Sequence, residues 1–425
     1  MRSQGKRVLA VSLVLLSCAV FQAGAEEALT WEDCVREAAK NHPDLIAAIE
    51  GVNRSKAGKK ITASTLYPQI TSSVSAATTK TGGSGTADSY AYGVSGSQLV
   101  FDGFKTAADV KAASETMKAA GENFRFVSSE VRFRLRSAFV DLLRAQELIR
   151  VTKEIAKLRK DNLVLISLRY QSGLEHKGAL LTSEANLEEA KFEVSQAIRN
   201  HVVVQRQLTK EMGRETFVPV TVKGELDAGG AAQKKPDFEA LVKDNPSLQK
   251  LIAQENAAAF GVSAAKRNFF PTLTAQAGAG RTGDHWPPGD DGDRWNMGLG
   301  LSLPIFEGGL RVAQVAQAQA ALNQARAEER SARDGVIVSL EQAWASWQDA
   351  LETTDVQKKF LAASEERARI AEAQYAIGMI SYDNWTIIED DLVRAKKALL
   401  DAQANALLAE AAWVQAKGET LEHEE

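Results

Sequence analysis

The sequence predicts an α+β membrane protein that is internally duplicated, with strands and very long helices in each copy. Three observations support this fold class. Short phrases recur at a nearly constant offset, several segments alternate apolar and small side chains with period two, and 66 residues beyond Gly309 run to Tyr375 without a proline. Only 7% of the 425 residues are aromatic, which favours long helices packed through small side chains.

The duplication is measured by landmarks that keep their order in both halves. The first two landmark pairs are 203 residues apart, and the last two are 205 residues apart. The pairs are Pro43 and Pro246, Pro68 and Pro271, Phe101 and Phe306, and Tyr170 and Tyr375. One two-residue slip between Pro68 and Phe101 reconciles the offsets, so the two halves are copies of one unit.

The N-terminus has the composition of a secretory signal peptide over residues 1–25. A basic "MRSQGKR" precedes 14 apolar residues, and "AGA" at 23–25 fits the small-residue cleavage rule. We expect the mature chain to begin at Glu26. The alternative is a lipoprotein signal, in which "LLSC" places Cys18 at the modified position. Each copy then opens with short helices, and Thr30 followed by Asp33 predicts a capping box.

Four segments read as strands that cross a membrane. In "RWNMGLGLSLPI", residues 294–305, apolar side chains occupy every second position and small or polar ones the others. Residues 69–80, 90–101 and 272–283 show weaker versions of this pattern, and each segment reaches the roughly 9–11 residues that a membrane strand needs. A soluble sheet with one wet face is the alternative. Because bacterial barrels begin at about eight strands, four strands require an oligomer to close.

Each second strand is predicted to turn directly into a long helix. Proline suits the end of a strand ladder because it has no N–H, and the glycines permit the backbone angles of the transition. An acidic residue beside a helix N-terminus is favoured by the helix dipole. The candidate transition residues are Phe101, Asp102 and Gly103 in the first copy, and Pro304, Phe306, Glu307, Gly308 and Gly309 in the second.

Together these motifs, in this order and doubled, resemble the TolC-like outer-membrane efflux and secretion channels of Gram-negative bacteria. The phrases that carry the resemblance include "LYPQI", "SQLVFDGFKTAADVKAA", "RYQSG", "LSLPIFEGGLRVAQVAQAQAAL" and "QYAIGMISYDNWTIIEDDLVRAKKAL". The resemblance implies a homotrimer that contributes four strands per chain to a 12-stranded β-barrel in outer-membrane lipid. A long α-helical coiled-coil barrel would continue into the periplasm.

The function implied by the resemblance is that of a passive exit duct. The duct would carry substrate from an inner-membrane transporter of the RND, ABC or MFS type, through a periplasmic adaptor (membrane fusion) protein, to the outside. Such a channel is not an enzyme and needs no cofactor. The alternative is a periplasmic coiled-coil adaptor or scaffold without a membrane barrel. The doubled strand pattern favours the channel, because an adaptor has no use for it.

Two groups of residues follow as candidate sites. Tyr170 and Gly173, and their counterparts Tyr375 and Gly378, are expected to turn the helices at the periplasmic tips and to contact the adaptor. Some family members carry a basic residue and two aspartates after the tip glycine, where this chain has Ile380, Asn384 and Ile387. Helical spacing places Asp391 on the same face as Asn384 and Ile387, which predicts a pore gate with one ring of carboxylates, whereas Asp390 should face elsewhere. The alternative is that Asp390 and Asp391 are solvated surface acids.

Other functions are not supported by the sequence. A net charge of −4 gives no basic footprint for nucleic acid. "GAGRTG" at 278–283 lies inside a predicted strand and does not open a helix, so it is not a dinucleotide motif. The five histidines form no zinc pattern. Four aspartates of one loop are expected to be solvated, with Ca²⁺ binding as the weaker alternative: Asp284, Asp290, Asp291 and Asp293.

The predicted organisation follows from these assignments. The segments are a signal peptide (1–25), first-copy short helices (26–68), membrane strands (69–101), first-copy long helices (102–213), a connector near the helical waist (214–240), second-copy short helices (241–271), membrane strands (272–305), second-copy long helices (306–418) and a tail (419–425).

Overall fold

Each half of the chain folds as short helices, two long strands and two very long helices, in that order. The computed structural model describes residues 27–80, 82–83, 85–227, 234–289 and 292–421. The predicted signal peptide, Cys18 and two aspartates of the acidic loop, Asp290 and Asp291, lie outside the described residues.

The elements are as follows, in chain order. They are β1 (Glu27–Leu29), α1 (Trp31–Asn41), α2 (Pro43–Ser64), β2 (Gln69–Lys80), β3 (Thr86–Phe101), α3 (Lys105–Gln171), α4 (Lys177–Glu211), β4 (Val220–Val222), α5 (Phe238–Val242), α6 (Pro246–Arg267), β5 (Thr272–Gly283), β6 (Asp293–Ser302), α7 (Leu310–Ala376) and α8 (Tyr382–Lys417).

The short helices begin where the sequence signals predict. The amide of Asp33 donates to Thr30 Oγ1 at 3.3 Å, and the amide of Thr30 donates to Asp33 Oδ2 at 3.1 Å, which confirms the capping box at α1. α2 and α6 each start on a proline, which is pre-organised for the first helical position. α5 begins at Phe238, three residues before the boundary predicted at 241.

The four long strands form one antiparallel sheet in the order β2-β3-β5-β6. The two hairpins therefore join through β3 and β5, and β2 and β6 are its edges within the described part of the chain. One face of the sheet carries the predicted apolar side chains, which are exposed in the single chain, with Trp295 80% exposed and Leu299 73% exposed. None of the described helices is both long and apolar enough to cross a bilayer.

β6 is shorter than the sequence predicts. It ends at Ser302, paired with Thr272, whereas the alternating pattern continues to Ile305. Its partner β5 begins directly after Pro271, so residues beyond Ser302 have no strand beside them within the chain. Pro304 also has no N–H to donate. The expectation that Pro304 occupies the last position of the ladder is therefore wrong for the pairing within one chain.

A small sheet that the sequence analysis missed ties the connector to the start of the chain. β1 and β4 pair in parallel, with Ala28 opposite Thr221. The side chain of Gln146 in α3 holds β4 from the other side, since it donates to the carbonyl of Val222 at 3.0 Å and accepts from its amide at 2.9 Å. Both strands have only three residues, too few to show a recognisable alternation.

Two hydrophobic cores lie beside this small sheet and along the second pair of long helices. The first buries Cys34, Phe139 and Leu208, and burial raises the pKa of the Cys34 thiol to about 12. The second contains Trp344, whose ring lies 5.4 Å from that of Trp347 and 5.3 Å from that of Trp413. The mid-helix tryptophans are thus packing residues.

The first strand-to-helix transition is built around a left-handed backbone. Gly103 has φ +68° and Phe104 has φ +64°, and α3 starts immediately afterwards. Asp102 Oδ2 accepts a hydrogen bond of 2.7 Å from the amide of Thr106, which satisfies a free N–H of the first turn. A Cβ atom added to Gly103 would lie 2.4 Å from Cβ of Phe270, so the second copy packs directly onto this glycine.

The second transition has the same backbone without the same neighbour. Gly308 has φ +58° and Gly309 has φ +86°, and α7 begins after them. Glu307 Oε2 accepts from Nε of Arg311 at 2.5 Å, one turn into α7. Apart from the neighbouring residues of the chain, no heavy atom of the described residues lies within 4 Å of a Cβ placed on either glycine.

Replacing Gly103 should test this junction. We expect Gly103→Ala to destabilise the protein by more than about 1 kcal/mol, because an L-residue is strained at positive φ and its Cβ would overlap Phe270. Gly121→Ala is the matched control: Gly121 lies inside α3 with nothing within 4 Å, so alanine there should be neutral or stabilising by roughly 0.5–1 kcal/mol. Urea unfolding followed by circular dichroism measures both, and equal midpoints would contradict the assignment.

Candidate functional site at the helical hairpins

The two long helical hairpins reverse direction through the same local structure. Each first helix ends in a Schellman motif with a left-handed glycine, Gly173 at φ +74° and Gly378 at φ +79°. The following amide donates five residues back, from Leu174 to the carbonyl of Arg169 at 2.8 Å and from Met379 to that of Gln374 at 2.9 Å. The sequence-predicted turn glycines therefore sit at the tips of the hairpins α3–α4 and α7–α8.

The two tips are bound to each other by an arginine, a tyrosine and a glutamate. Arg169 of the first hairpin lies over the ring of Tyr375, 4.6 Å from its centroid, and donates to the carbonyls of Tyr375 and Ala376 at 3.3 Å. The Tyr375 hydroxyl donates to Glu175 Oε2 at 2.7 Å. Burial and this carboxylate raise the pKa of Tyr375 above its usual value.

The equivalent tyrosines have different surroundings. Tyr375 is 1% exposed and stacks on Trp385, with ring centroids 4.6 Å apart and planes inclined by 6°. Tyr170, 205 residues earlier, is 39% exposed. We expected the two to play the same part, but only Tyr170 offers an open ring, while Tyr375 holds the hairpins together.

The predicted gate stripe lies on the open face of α8. Asn384 and Ile387 are exposed, and Asp391 is partly exposed. The opposite face of the helix is buried and carries Tyr382, Trp385 and Glu389. The structure thus places Asn384, Ile387 and Asp391 on one side of α8, and two arginines lie beside Asp391.

Asp391 is not an isolated carboxylate. Its Oδ2 accepts from Arg367 of α7 at 3.1 Å, and its Oδ1 pairs with Arg394 one turn further along α8. Two arginines and one aspartate give this cluster a local charge of opposite sign to that expected for an acidic ring. Sequence spacing could have found Arg394, which is three residues away, but not Arg367, which the fold brings from another helix.

Asp390 faces away from the stripe and towards α3, and its side chain remains 41% exposed. It forms an ion pair with Arg159 of α3, whose side chain is only 11% exposed. This pair fastens α8 to the first hairpin. Removing Asp390 would leave the nearly buried guanidinium of Arg159 without this partner, so Asp390 has a structural part in joining the hairpins although it is partly solvated.

Next to this pair, Glu389 is a buried carboxyl that the sequence analysis missed. It is 3% exposed, and its Oε2 accepts from Asn162 Nδ2 at 3.4 Å. Desolvation raises the pKa of Glu389, against the opposing effects of Asn162 and of the Arg159 charge. Glu372 of α7 and Asp390 add negative charge nearby, which raises the pKa further.

The described residues contain no cluster of His, Cys, Asp or Glu that could hold a metal ion.

The hairpin tips present exposed apolar side chains. Leu174 lies beside the first tip glycine, and Ile377 and Met379 flank the second, each at least 66% exposed. Apolar side chains of this kind at the end of a long hairpin are typical of a contact surface.

A family model described as "outer membrane efflux protein" matches residues 34–214 and 239–419. The two matched segments correspond to the two copies of the repeat. The outer membrane efflux protein BepC of Brucella suis is 24% identical over 417 residues, which cover 96% of this chain and 90% of that protein.

Solved structures share the fold at low sequence identity. The MtrE outer membrane channel of Neisseria gonorrhoeae, in its open state, has a TM-score of 0.80 at 18% identity, covering 92% of this chain and 89% of that one. The outer membrane protein VceC of Vibrio cholerae has a TM-score of 0.78 at 19% identity, covering 92% and 96%.

Glu389 makes the stability of the hairpins depend on pH. Because its folded-state pKa is raised, the unfolded chain ionises first, and stability falls as pH rises from the unfolded value towards the folded one. We therefore expect Glu389→Gln to raise the thermal midpoint at pH 7, and to lose this advantage below about pH 4.5, the ordinary glutamate value. Glu365→Gln, an exposed position of α7, is the control. A midpoint difference that does not change with pH would contradict the prediction.

Proposed function

Because the chain belongs to the outer membrane efflux protein family, we propose that it is the outer-membrane channel of a tripartite efflux pump or type I secretion system. It is a passive exit duct that carries substrate from an inner-membrane transporter and a periplasmic adaptor to the outside. The observation that carries this proposal is the four-stranded sheet, open at both described edges and apolar on one of its faces.

Such a sheet fits a barrel formed by three chains. In lipid each unpaired backbone N–H or C=O costs several kcal/mol, so edge strands must find partners. Three copies of four strands give the 12 strands of a closed barrel. The strands β2 and β5 have 12 residues each, which is sufficient to cross the hydrocarbon region at roughly 9–11 residues.

The helices give the duct its length. α3 and α7 each have 67 residues, or about 100 Å at 1.5 Å per residue. Their far ends carry Gly173, Gly378 and the exposed ring of Tyr170, where an adaptor protein would dock. The apolar tip residues Leu174 and Met379 support this assignment, because they are exposed at the end that lies farthest from the sheet.

At the same end, we place the pore gate on Asn384, Ile387 and Asp391. In a trimer this stripe would form a ring in which each Asp391 carboxylate is held by Arg367 and Arg394. The ring then contains both signs of charge, and its selectivity depends on their balance. A periplasmic scaffold without a barrel is the competing function, but it gives no role to an exposed apolar sheet face.

Cell fractionation tests the proposed function. The protein should sediment with the outer membrane, require detergent for release and be a trimer by light scattering in that detergent. The expectation follows from the apolar face of the sheet and from its open edges. A protein that remains in the soluble periplasmic fraction would overturn the channel and support the scaffold.

Conductance tests the gate. In planar bilayers with a salt gradient, Asp391→Asn should shift the reversal potential towards anion preference, because two arginines per chain lose their counter-charge. Arg394→Gln should shift it in the opposite direction, so each variant controls for the other. If both variants keep the selectivity of the parent protein, the stripe does not line the pore.

A further inference from the structure

The strand pairing of the first hairpin is repeated, residue for residue, in the second hairpin. In the first hairpin Gln69 of β2 lies opposite Ser97 of β3. Moving the first residue by 203 positions and the second by 205 gives Thr272 opposite Ser302, which is the pairing observed in the second hairpin. The two offsets found from the landmarks therefore superimpose one hairpin on the other without a slip.

The centre of the sheet contains a contact between unlike strands of the two copies. There the second strand of the first copy, β3, pairs with the first strand of the second copy, β5, and Ser97 lies opposite Gln276. The strands left at the edges are the second strand of the second copy, β6, and the first strand of the first copy, β2. A contact between β6 and the β2 of another chain would repeat the β3–β5 contact.

We propose that β6 of one copy pairs with β2 of the next copy in the register that β3 and β5 show within the chain. The inference rests on the trimer of the proposed function. Applying the offsets to the observed β3–β5 pairs places Ser302 opposite Ser73, Leu301 opposite Val74, and Gly300 opposite Ser75 of the neighbouring copy. Three such seams close the barrel.

At the end of the seam nearest the long helices, side chains of like character lie opposite each other on both faces. Leu301 and Val74 are both 70% exposed in one chain and would lie side by side on the apolar face. Ser302 and Ser73 would share the opposite face. A shift of one residue would place Leu301 opposite a serine and turn the apolar set of one strand to the wrong side of the sheet.

The helices next to the sheet support the same seam. Ala264 of α6 is 5% exposed, whereas its counterpart Ile61 of α2, 203 residues earlier, is 72% exposed. Ala108 of α3 is buried, and its counterpart Ala313 of α7, 205 residues later, is exposed. α3 lies between α2 and α6, and α7 contacts α6. The outer faces of α2 and α7 are thus what the repeat requires a neighbouring copy to cover.

The strand-to-helix transitions agree with this arrangement. Phe270 packs on Gly103, and the repeat-equivalent residues are Tyr67 and Gly308. Tyr67 is 66% exposed, and the space above Gly308 is open within the described chain. In the proposed seam, Tyr67 of the next copy lies on Gly308 as Phe270 lies on Gly103.

Disulfide cross-linking tests the register. In a Cys34→Ala background, which removes the buried native thiol, Ser302→Cys with Ser73→Cys should convert most of the oxidised protein to a covalent trimer on a denaturing gel. Directly opposite residues lie within the Cα distances that a disulfide accepts. Within one chain the two positions are three strand spacings apart across the sheet, and Ser73 aligns with Arg294, eight residues before Ser302. Their separation therefore exceeds about 14 Å, so the bond can form only between copies.

Shifted pairs provide the controls. Ser302→Cys with Thr71→Cys and Ser302→Cys with Ser75→Cys represent slips of two residues, and both should cross-link poorly. Gly300→Cys with Ser75→Cys is a second in-register pair, which guards against a local defect in the first. Light scattering on the same variants reports the oligomer independently of any disulfide.

The outcomes separate the register from the function. Efficient cross-linking of both in-register pairs supports the seam. A trimer that cross-links only through a shifted pair, or through none of the pairs, overturns the register and leaves the channel in place. A stable monomer in detergent overturns both the seam and the trimeric channel on which it rests.

Discussion

Backbone hydrogen bonding at the two edges of the sheet is the constraint on which the rest of this structure depends. Within the described chain β2 and β6 each have one neighbouring strand, so half of their N–H and C=O groups have no ladder partner. Water could satisfy those groups, but one face of the sheet is apolar and fits lipid, which offers no hydrogen bonds. Pairing the edge strands with those of other copies gives these backbone groups hydrogen-bond partners without water.

Because of the duplication, the chain needs no additional type of strand contact to pair its edges with other copies. One type of contact, between a second strand and a first strand, serves within the chain as β3–β5 and can serve again between chains. The helices follow the same rule, since α3 is enclosed by α2 and α6, while α7 keeps an open side. A ring built from quasi-equivalent units needs one set of complementary surfaces and not two.

The two copies differ in the contacts that they make at both ends of the long helices. Arg267 of α6 donates to the carbonyls of Gly103 and Phe104 at 3.2 Å, and its counterpart in the first copy is Ser64. At the far end Tyr375 is buried against Trp385, while Tyr170 is open. The second hairpin carries the aromatic cluster and the first supplies Arg169 and Glu175 to it. Residues of both copies thus combine at the tip to join the two hairpins.

The sequence by itself determined the elements whose signals are local or repeated. Period-two alternation identified the long strands, proline and glycine marked where helices begin and turn, and the constant offset identified the two copies. Such patterns depend only on backbone geometry and on which side of an element is apolar. The sequence analysis missed β1 and β4 because three residues are too few to show a period. Their stability comes from Gln146 and the core around Phe139.

Only the tertiary structure decided which side chains meet across long separations. Arg367 and Asp391 lie on different helices, as do Arg159 and Asp390, and no spacing rule connects the members of either pair. The same holds for Glu389, whose burial depends on helices that are distant in sequence. Periodicity fixes the face on which a residue lies, but the packing of one helix on another fixes what that face contacts, and that packing is a property of the whole fold.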